Sequence, residues 1–295
     1  MDRYNGKFRS KNRNTTIMTK INIEENLRVA TNLAKTNMNA DVYAKALSMI
    51  DLTSLNTTDT VSKIVKMTEK VNRFKLEFPG RPQVAAICVY PNFASVVKEH
   101  LKDKEVKIAV VAGVFPSSQS FTSIKVAECE MAAVQGADEV DIVLSLGKFL
   151  EGDLDGAGNE IAQIKGAIGN AHLKVILESG SIGDVQKIYN ASMLAMEHGA
   201  DFIKTSTGKT EPAATLEAAV AMCTAITDFH KKSGKKIGFK PAGGIVTPED
   251  AVLYYSIVQT ILGDQWLNSM LFRIGASRLA NNLLAKLEDH EVNYF

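Results

Sequence analysis

Short apolar runs alternate along this chain with longer segments in which apolar residues recur at helical spacing. The short runs are nearly continuous rather than interrupted by polar positions, which is typical of parallel strands that are covered on both faces. We predict eight strands, over residues 47–50, 84–89, 108–114, 140–144, 175–177, 202–207, 237–240 and 271–275.

The segments between these runs predict amphipathic helices, as the stripe Leu216, Ala219, Cys223 and Ile226 illustrates. Three glycines follow such stripes, where a helix commonly ends in a left-handed residue: Gly136, Gly199 and Gly234. Thr247, followed by proline and two acidic residues, is typical of a helix start. Eight strand–helix units over about 250 residues favour an α/β fold, a closed (β/α)8 TIM barrel, with an open doubly wound sheet as the alternative.

We therefore expect one barrel over residues 47–288, with an N-terminal helical extension over residues 22–46 that covers its bottom or side. Residues 1–21 are rich in lysine and arginine and predict a disordered basic leader. A transit peptide is the alternative, although the segment lacks an amphipathic apolar face. Residues 289–295 are expected to form a flexible tail.

Composition narrows the function classes only slightly. The 34 basic residues nearly balance the 33 acidic ones, so charge gives no reason to expect nucleic acid or a membrane surface as a partner. No apolar stretch approaches the roughly 20 residues that span a bilayer. The three cysteines lie in apolar runs without paired spacing, which favours reduced thiols and a cytoplasmic protein.

Charged residues in strands that otherwise look buried are the main anomaly. They are Asp51, Asp141, Lys204 and Lys240. Residues 136–141 and 199–204 share the pattern Gly-Ala-Asp-x-apolar-charged, so Asp141 and Lys204 should occupy equivalent positions on two strands of the same parity. Such strands contribute side chains to the same interior layers of a barrel, and we expect both residues to point into the lumen at similar height.

Two lysines aimed at one lumen suggest a nucleophilic amine. A second ammonium about 5 Å away disfavours the charged lysine by roughly 3 kcal/mol, or about two pKa units, and burial adds to the shift. One lysine would then attack a carbonyl while the other keeps it neutral, and Asp141 would move protons. A structural ion-pair network that closes the lumen is the alternative interpretation.

Glycines and small residues after the last three predicted strands indicate a phosphate site. They lie in residues 207–209, 243–244 and 275–277. Phosphate sites in this fold commonly use the loops after strands seven and eight together with a helix N-terminus. Ordinary turn glycines are the alternative.

The runs FIKTSTGK (residues 202–209) and GFKPAGG (residues 238–244) closely resemble the two signature motifs of the deoxyribose-phosphate aldolase family. Further similar stretches are residues 51–53, 86–91, 136–141 and 272–277, so the resemblance extends in order from about residue 47 to 280. The family consists of class I, metal-free aldolases on a (β/α)8 barrel. They reversibly cleave 2-deoxy-D-ribose 5-phosphate to D-glyceraldehyde 3-phosphate and acetaldehyde.

The resemblance implies a role for each matching position. Lys204 would be the Schiff-base lysine, Lys240 the residue that lowers its pKa, and Asp141 the proton-transfer acid and base. Asp51 and Lys174 would orient the sugar hydroxyl and water, and Cys88 would lie near the active site. The implied phosphate-binding residues are Gly208, Lys209, Gly243, Gly244, Gly275 and Ser277. No cofactor or metal is implied, the partners would be a sugar phosphate and an aldehyde, and a homo-oligomer is expected.

Two positions depart from the family pattern. Arg278 stands where some members have a second serine, and could bind phosphate or face solvent. The chain ends in Tyr294-Phe295, whereas some members end in a tyrosine that reaches the active site as a proton carrier. Two competing functions are another Schiff-base barrel enzyme, such as a ketose-phosphate aldolase or transaldolase, and a sugar-phosphate-binding barrel without activity. The second would not need paired lysines.

Overall fold

The computed structural model describes residues 21–295, so the predicted leader lies outside the described residues except for its last position. Eight parallel strands form one sheet. They are β1 (Ile50–Thr53), β2 (Ala86–Val89), β3 (Lys107–Val111), β4 (Glu139–Val143), β5 (His172–Ile176), β6 (Phe202–Lys204), β7 (Gly238–Lys240) and β8 (Ile274–Ala276). Each strand is buried on both faces, as the continuous apolar runs predicted.

The sheet closes into a barrel. Its strand order is β7-β6-β5-β4-β3-β2-β1-β8, and every neighbouring pair is parallel. Bridges between Phe239 and Phe272, and between Ala242 and Gly275, join β7 to β8. The prediction of a closed (β/α)8 barrel is confirmed, and the open-sheet alternative is wrong.

Helices surround this barrel. They are α1 (Ile23–Asn37), α2 (Ala40–Leu47), α3 (Val61–Glu77), α4 (Ala94–His100), α5 (Thr122–Val134), α6 (Leu146–Glu151), α7 (Leu154–Ala167), α8 (Ser179–Ile182), α9 (Val185–Glu197), α10 (Leu216–Ser233), α11 (Pro248–Leu262) and α12 (Leu279–Glu288). Thr247 caps α11 in a reciprocal capping box with Asp250, and Gly234 ends α10 in the left-handed conformation, as predicted. No helix within residues 21–295 is long and apolar enough to cross a membrane.

Two predicted strands are displaced in ways that affect the site. The first was expected over residues 47–50, but β1 spans Ile50–Thr53, so Asp51 lies inside the strand rather than after it. The apolar residues before it belong to the end of α2 and the following turn, and a short apolar run does not distinguish these conformations. The fifth strand begins at His172 instead of residue 175, which places Lys174 inside β5. The polar His172 and the charged Lys174 interrupt the apolar run and had concealed the start of the strand.

The N-terminal helical extension consists of two helices. The break falls at Met38–Asn39, where the Asn39 side chain accepts a hydrogen bond from the Val42 amide and caps α2. α1 packs on α10 and α11, while α2 packs on α11 and α12. The extension therefore covers the side of the barrel.

The C-terminal residues pack against the outside of the barrel. The rings of Tyr294 and Phe295 contact Phe74 in α3, and the Tyr294 hydroxyl donates a hydrogen bond to the Lys70 carbonyl at 2.6 Å. The Asn281 side chain accepts hydrogen bonds from the amides of both tail residues at 2.9 Å. Because α3 runs from the carboxyl end of β1 to the amino end of β2, its last turns lie at the bottom of the barrel. Tyr294 thus lies away from the carboxyl ends of the strands, where barrel enzymes bind substrate.

Candidate active site

Lys204 and Lys240 lie side by side in the barrel lumen. They are register partners on β6 and β7, and their side chains are almost completely buried. Their ammonium nitrogens donate to the same oxygen of Asp141, Oδ2, at 2.9 Å and 2.8 Å respectively. The prediction that Asp141 and Lys204 share an interior layer is confirmed by this contact.

A second group of charges lies directly beneath and beside this triad. Lys174 Nζ contacts Asp141 Oδ1 at 3.1 Å, and it also forms an ion pair with Glu139. Asp51 Oδ2 lies 2.5 Å from Lys240 Nζ, and its other oxygen accepts from Arg273 at 2.6 Å. The guanidinium of Arg273 also donates to Glu139 at 2.7 Å. All these side chains are at most 2% exposed, so the network is shielded from solvent.

The charges of this network do not balance when all its members are ionised. Three carboxylates (Asp51, Glu139, Asp141) face four basic side chains (Lys174, Lys204, Lys240, Arg273). An uncompensated charge in a buried site is costly, and a lysine avoids that cost by losing its proton. Lys204 contacts only one of the carboxylates, whereas each of the other three bases contacts at least two. Lys204 is therefore the base whose neutral form balances the lumen.

The direction of each pKa shift agrees with this assignment. Burial lowers the pKa of the Lys204 amine, and the Lys240 ammonium lowers it further against the opposing effect of Asp141. Burial also disfavours the charged form of Lys240, but the carboxylates of Asp141 and Asp51 raise its pKa well above the usual value. The pKa of Asp141 lies well below its usual range because three lysines outweigh the effect of burial. The site thus combines an amine that readily becomes neutral with a permanent cation and a carboxylate base.

A phenylalanine lies in the lumen below Lys204 and Lys240. Phe202 is 1% exposed, and its ring lies 5.8 Å from Lys174 Nζ and 5.8 Å from the Arg273 guanidinium carbon. Gly238 on the neighbouring strand makes room for this ring, because a Cβ there would lie 2.2 Å from a ring carbon. The side of the lumen toward β1–β3 is lined by small apolar residues, among them Cys88, whose burial raises the pKa of its thiol.

Above Lys204, at the carboxyl ends of the strands, lies a cavity of about 400 Å³. Its lining includes Lys204 and all six residues predicted to bind phosphate: Gly208, Lys209, Gly243, Gly244, Gly275 and Ser277. Gly208 and Gly243 both have left-handed backbones, and a Cβ on Gly243 would lie 3.1 Å from the Gly208 Cα. This close approach requires glycine and leaves polar backbone groups at the cavity wall. The volume suits a small ligand.

Two cationic side chains also line this cavity. Lys209 Nζ donates to the Leu55 carbonyl at 2.5 Å, across the cavity from the loop that bears it. An ammonium group has three donors, so this bond leaves two for a ligand. The Arg278 side chain forms no ion pair within residues 21–295. Both side chains are available to an anion.

The remaining predicted residues lie below the cavity rather than in its wall. Asp51, Lys174 and Cys88 are completely buried in the lumen, so any contact with substrate would come from below Lys204. Sequence reasoning missed Arg273 and Glu139, although each is a charge within or beside an apolar strand, the signal that identified Lys204. Among residues 21–295, no group of three or more His, Cys, Asp or Glu side chains is arranged to hold a metal ion.

Fold and site together define a (β/α)8-barrel enzyme with a buried lysine beneath a cavity lined by glycines and two cationic side chains. The profile of the DeoC/LacD family aldolases matches residues 45–261, and the chain belongs to this family. The resemblance inferred from the signature motifs is thereby confirmed.

Individual relatives agree with this assignment. A protein of Caenorhabditis elegans, named as a candidate deoxyribose-phosphate aldolase, is 44% identical over 258 residues, which are 86% of this chain and 84% of the relative. The human deoxyribose-phosphate aldolase is 40% identical over 261 residues, or 83% of this chain and 80% of the relative. A crystal structure of a candidate deoxyribose-phosphate aldolase from Coccidioides immitis superposes with a TM-score of 0.69 at 25% identity, covering 91% of this chain and 99% of that one.

Proposed function

We propose that the protein reversibly cleaves 2-deoxy-D-ribose 5-phosphate to D-glyceraldehyde 3-phosphate and acetaldehyde through a Schiff base on Lys204. The observation that carries this proposal is the position of Lys204. Its neutral form balances the charges buried in the lumen, and it is the only lysine of the network that lines the cavity. Relatives named as deoxyribose-phosphate aldolases support the choice of substrate.

The reaction follows from the protonation states of the site. Neutral Lys204 attacks C1 of the open-chain sugar, and loss of water leaves a protonated Schiff base. The C2–C3 bond then breaks: its electron pair moves into the iminium, and the C3 hydroxyl proton passes to Asp141, directly or through water. Glyceraldehyde 3-phosphate leaves with C3 as its new aldehyde carbon. Protonation of the remaining enamine at C2 and hydrolysis release acetaldehyde and restore Lys204.

Lys240 and Asp141 have distinct tasks in this scheme. Lys240 remains protonated and disfavours a positive charge on free Lys204, which keeps the amine nucleophilic. Asp141 contacts both lysines, so its carboxylate stabilises the iminium cation and accepts the proton that bond cleavage releases. The glycine-lined cavity with Lys209 holds the phosphate and so fixes the distance between C1 and Lys204.

Borohydride trapping tests this proposal directly. Incubation with acetaldehyde or deoxyribose 5-phosphate, followed by reduction and peptide mass mapping, should give a stable adduct on Lys204. Lys204→Arg should give none while retaining the thermal transition of the wild type. A stable label on another lysine, or no label on folded wild-type protein, would overturn the assignment.

Donor specificity separates the proposed reaction from that of other Schiff-base barrel enzymes. We expect acetaldehyde, and not a ketose phosphate or dihydroxyacetone, to form the trapped adduct and to condense with glyceraldehyde 3-phosphate. Faster turnover with a ketose phosphate would favour the competing function. Substrate binding without turnover would favour a barrel that binds sugar phosphate only.

We further propose that the protein forms a homo-oligomer through α5. Four apolar side chains at helical spacing are exposed on or beside this helix: Phe121, Ile124, Met131 and Val134. Such a stripe is suited to isologous packing against a second copy. Light scattering should report a multiple of the 32.1 kDa chain mass for the wild type and a smaller assembly for Met131→Lys. A monomeric wild type would contradict the proposal.

The cytoplasm is the compartment we propose. Three buried, unpaired thiols, Cys88, Cys129 and Cys223, support a reducing environment. Localisation of the tagged full chain to an oxidising compartment would contradict this.

A further inference from the structure

Glu178 has an unusual backbone conformation beside the proposed active site. It lies two residues after the end of β5, at the start of α8, and has φ 53° and ψ 55°, in the left-handed region. Residues other than glycine are disfavoured in this region, because their Cβ atom comes too close to the backbone. Glu178 is also only 4% exposed. Strained residues of this kind persist where the surrounding structure holds them and often have a functional reason.

Both side-chain oxygens of Glu178 accept hydrogen bonds from a single residue, Thr207. Oε1 accepts a hydrogen bond from the Thr207 amide at 3.1 Å, and Oε2 accepts one from the Thr207 hydroxyl at 2.6 Å. Within residues 21–295 Glu178 forms no ion pair, so its buried carboxyl group depends on these hydrogen bonds for its polar contacts. The Thr207 hydroxyl in turn accepts from the Lys209 amide at 3.1 Å.

These contacts form a chain from the end of β5 to the cavity wall. Thr207, Gly208 and Lys209 all line the cavity, and Gly208 is in close contact with the glycine loop that follows β7. A shift of Thr207 would therefore move the two neighbouring residues that are predicted to bind phosphate. Binding that depends on such a loop is stronger when the loop is held in place before the ligand arrives.

We propose that Glu178 is a positioning residue for phosphate recognition: its carboxylate fixes Thr207, and thereby the loop that presents Gly208 and Lys209 to the phosphate. This inference rests on the proposed function, because it assumes that the substrate's phosphate lies in the cavity. Glu178 does not touch substrate in this arrangement. It sets the preference for a phosphorylated sugar over an unphosphorylated one.

The test compares kcat/KM for deoxyribose 5-phosphate and for deoxyribose in three variants. Glu178→Gly removes the carboxylate but accepts the left-handed backbone, so the lost contacts are separated from backbone strain. We expect its preference for the phosphorylated sugar to fall about tenfold, mainly through KM, which is the order of one hydrogen-bonded contact. Glu178→Gln retains an acceptor and a donor for Thr207 and should restore most of the preference. Asp289→Gly, at a left-handed residue beyond α12, is the matched control.

A double-mutant cycle with Thr207→Val locates the effect. If the two residues act through their shared hydrogen bonds, the double variant should lose no more preference than the worse single variant. Equal losses of kcat/KM for both sugars, or an unchanged preference in Glu178→Gly, would overturn the inference. Wild-type protein without any preference for the phosphorylated sugar would instead contradict the proposed function.

Discussion

The charge of Lys240 is expected to set the pH range in which the enzyme works. Lys204 and Lys240 lie 2.9 Å and 2.8 Å from the same oxygen of Asp141, so their nitrogens are at most about 5.7 Å apart. Replacing Lys240 with methionine keeps the volume of the side chain and removes its cation. The amine of Lys204 then loses its nearest like charge, and the carboxylates gain influence over it.

The size of the effect follows from this distance. At an effective dielectric constant of about 20, two unit charges about 5.7 Å apart repel by about 3 kcal/mol, which equals about two pKa units. The pKa of Lys204 should therefore rise by at least about two units in Lys240→Met. At any pH below the pKa of Lys204 in both the wild type and the variant, the variant has an about 100-fold smaller neutral fraction of Lys204. Its kcat/KM should fall by the same factor.

A pH profile of kcat/KM measures this shift. We expect the acidic limb of Lys240→Met to lie about two units above that of the wild type, with partial recovery of activity at high pH. Lys240→Arg keeps the cation and serves as the control, and it should retain an acidic limb close to the wild-type position. Thermal melts and borohydride trapping at high pH establish that both variants are folded.

Two results would refute the reasoning. One is an acidic limb of Lys240→Met that coincides with that of the wild type, since Lys240 would then have no effect on the pKa of Lys204. The other is an equal shift in Lys240→Arg, which would show that shape rather than charge is responsible.

Three further predictions concern the network and the tail. Arg273→Met should lower the free energy of unfolding by about 3–5 kcal/mol, because it leaves Asp51 and Glu139 buried without their guanidinium; a loss below about 1 kcal/mol in urea denaturation would contradict this. The pKa of Asp51 is lowered on folding despite its burial, chiefly by Lys240, so its stabilisation is present above its unfolded pKa and is lost as the pH falls. Unfolding of Asp51→Asn should accordingly depend less steeply on pH below about 4 than that of the wild type, and equal slopes would argue against the network. Deleting Tyr294 and Phe295 should lower Tm by about 5 °C, because their aromatic packing is lost. The enzyme-catalysed exchange of deuterium into acetaldehyde should continue at the wild-type rate. Slower exchange would indicate that the tail reaches the active site.

Much of the fold was predictable because parallel strands buried on both faces leave continuous apolar runs. The same runs made Lys204, Lys240 and Asp141 conspicuous, since a charge within a buried strand has few structural explanations. Strand ends were less predictable. Asp51 was placed after its strand because local apolarity does not separate the last turn of a helix from the first residues of a strand, and Lys174 was placed before its strand because its charge interrupts the apolar run.

The rest of the site depends on three-dimensional relations that sequence spacing does not contain. Arg273 bridges Asp51 and Glu139 across the lumen, over separations of 222 and 134 residues. Which charges meet there depends on the tilt and stagger of the strands. Glu178 was overlooked for a different reason: its significance lies in a left-handed backbone conformation that its residue type does not suggest.

The Phe202 ring and the buried charged side chains fill the lumen beneath Lys204, so within the described residues its amine meets open space only at the cavity above it. In the proposed reaction, water and both products must all use that opening. We expect glyceraldehyde 3-phosphate to occupy the outer part, where the glycine loops are proposed to bind its phosphate, and the two-carbon enamine to remain on Lys204 at the inner end. The phosphorylated product must therefore depart before bulk water can hydrolyse the enamine. Product release should be strictly ordered, with acetaldehyde last, so that acetaldehyde alone binds the free enzyme as an inhibitor competitive with the sugar.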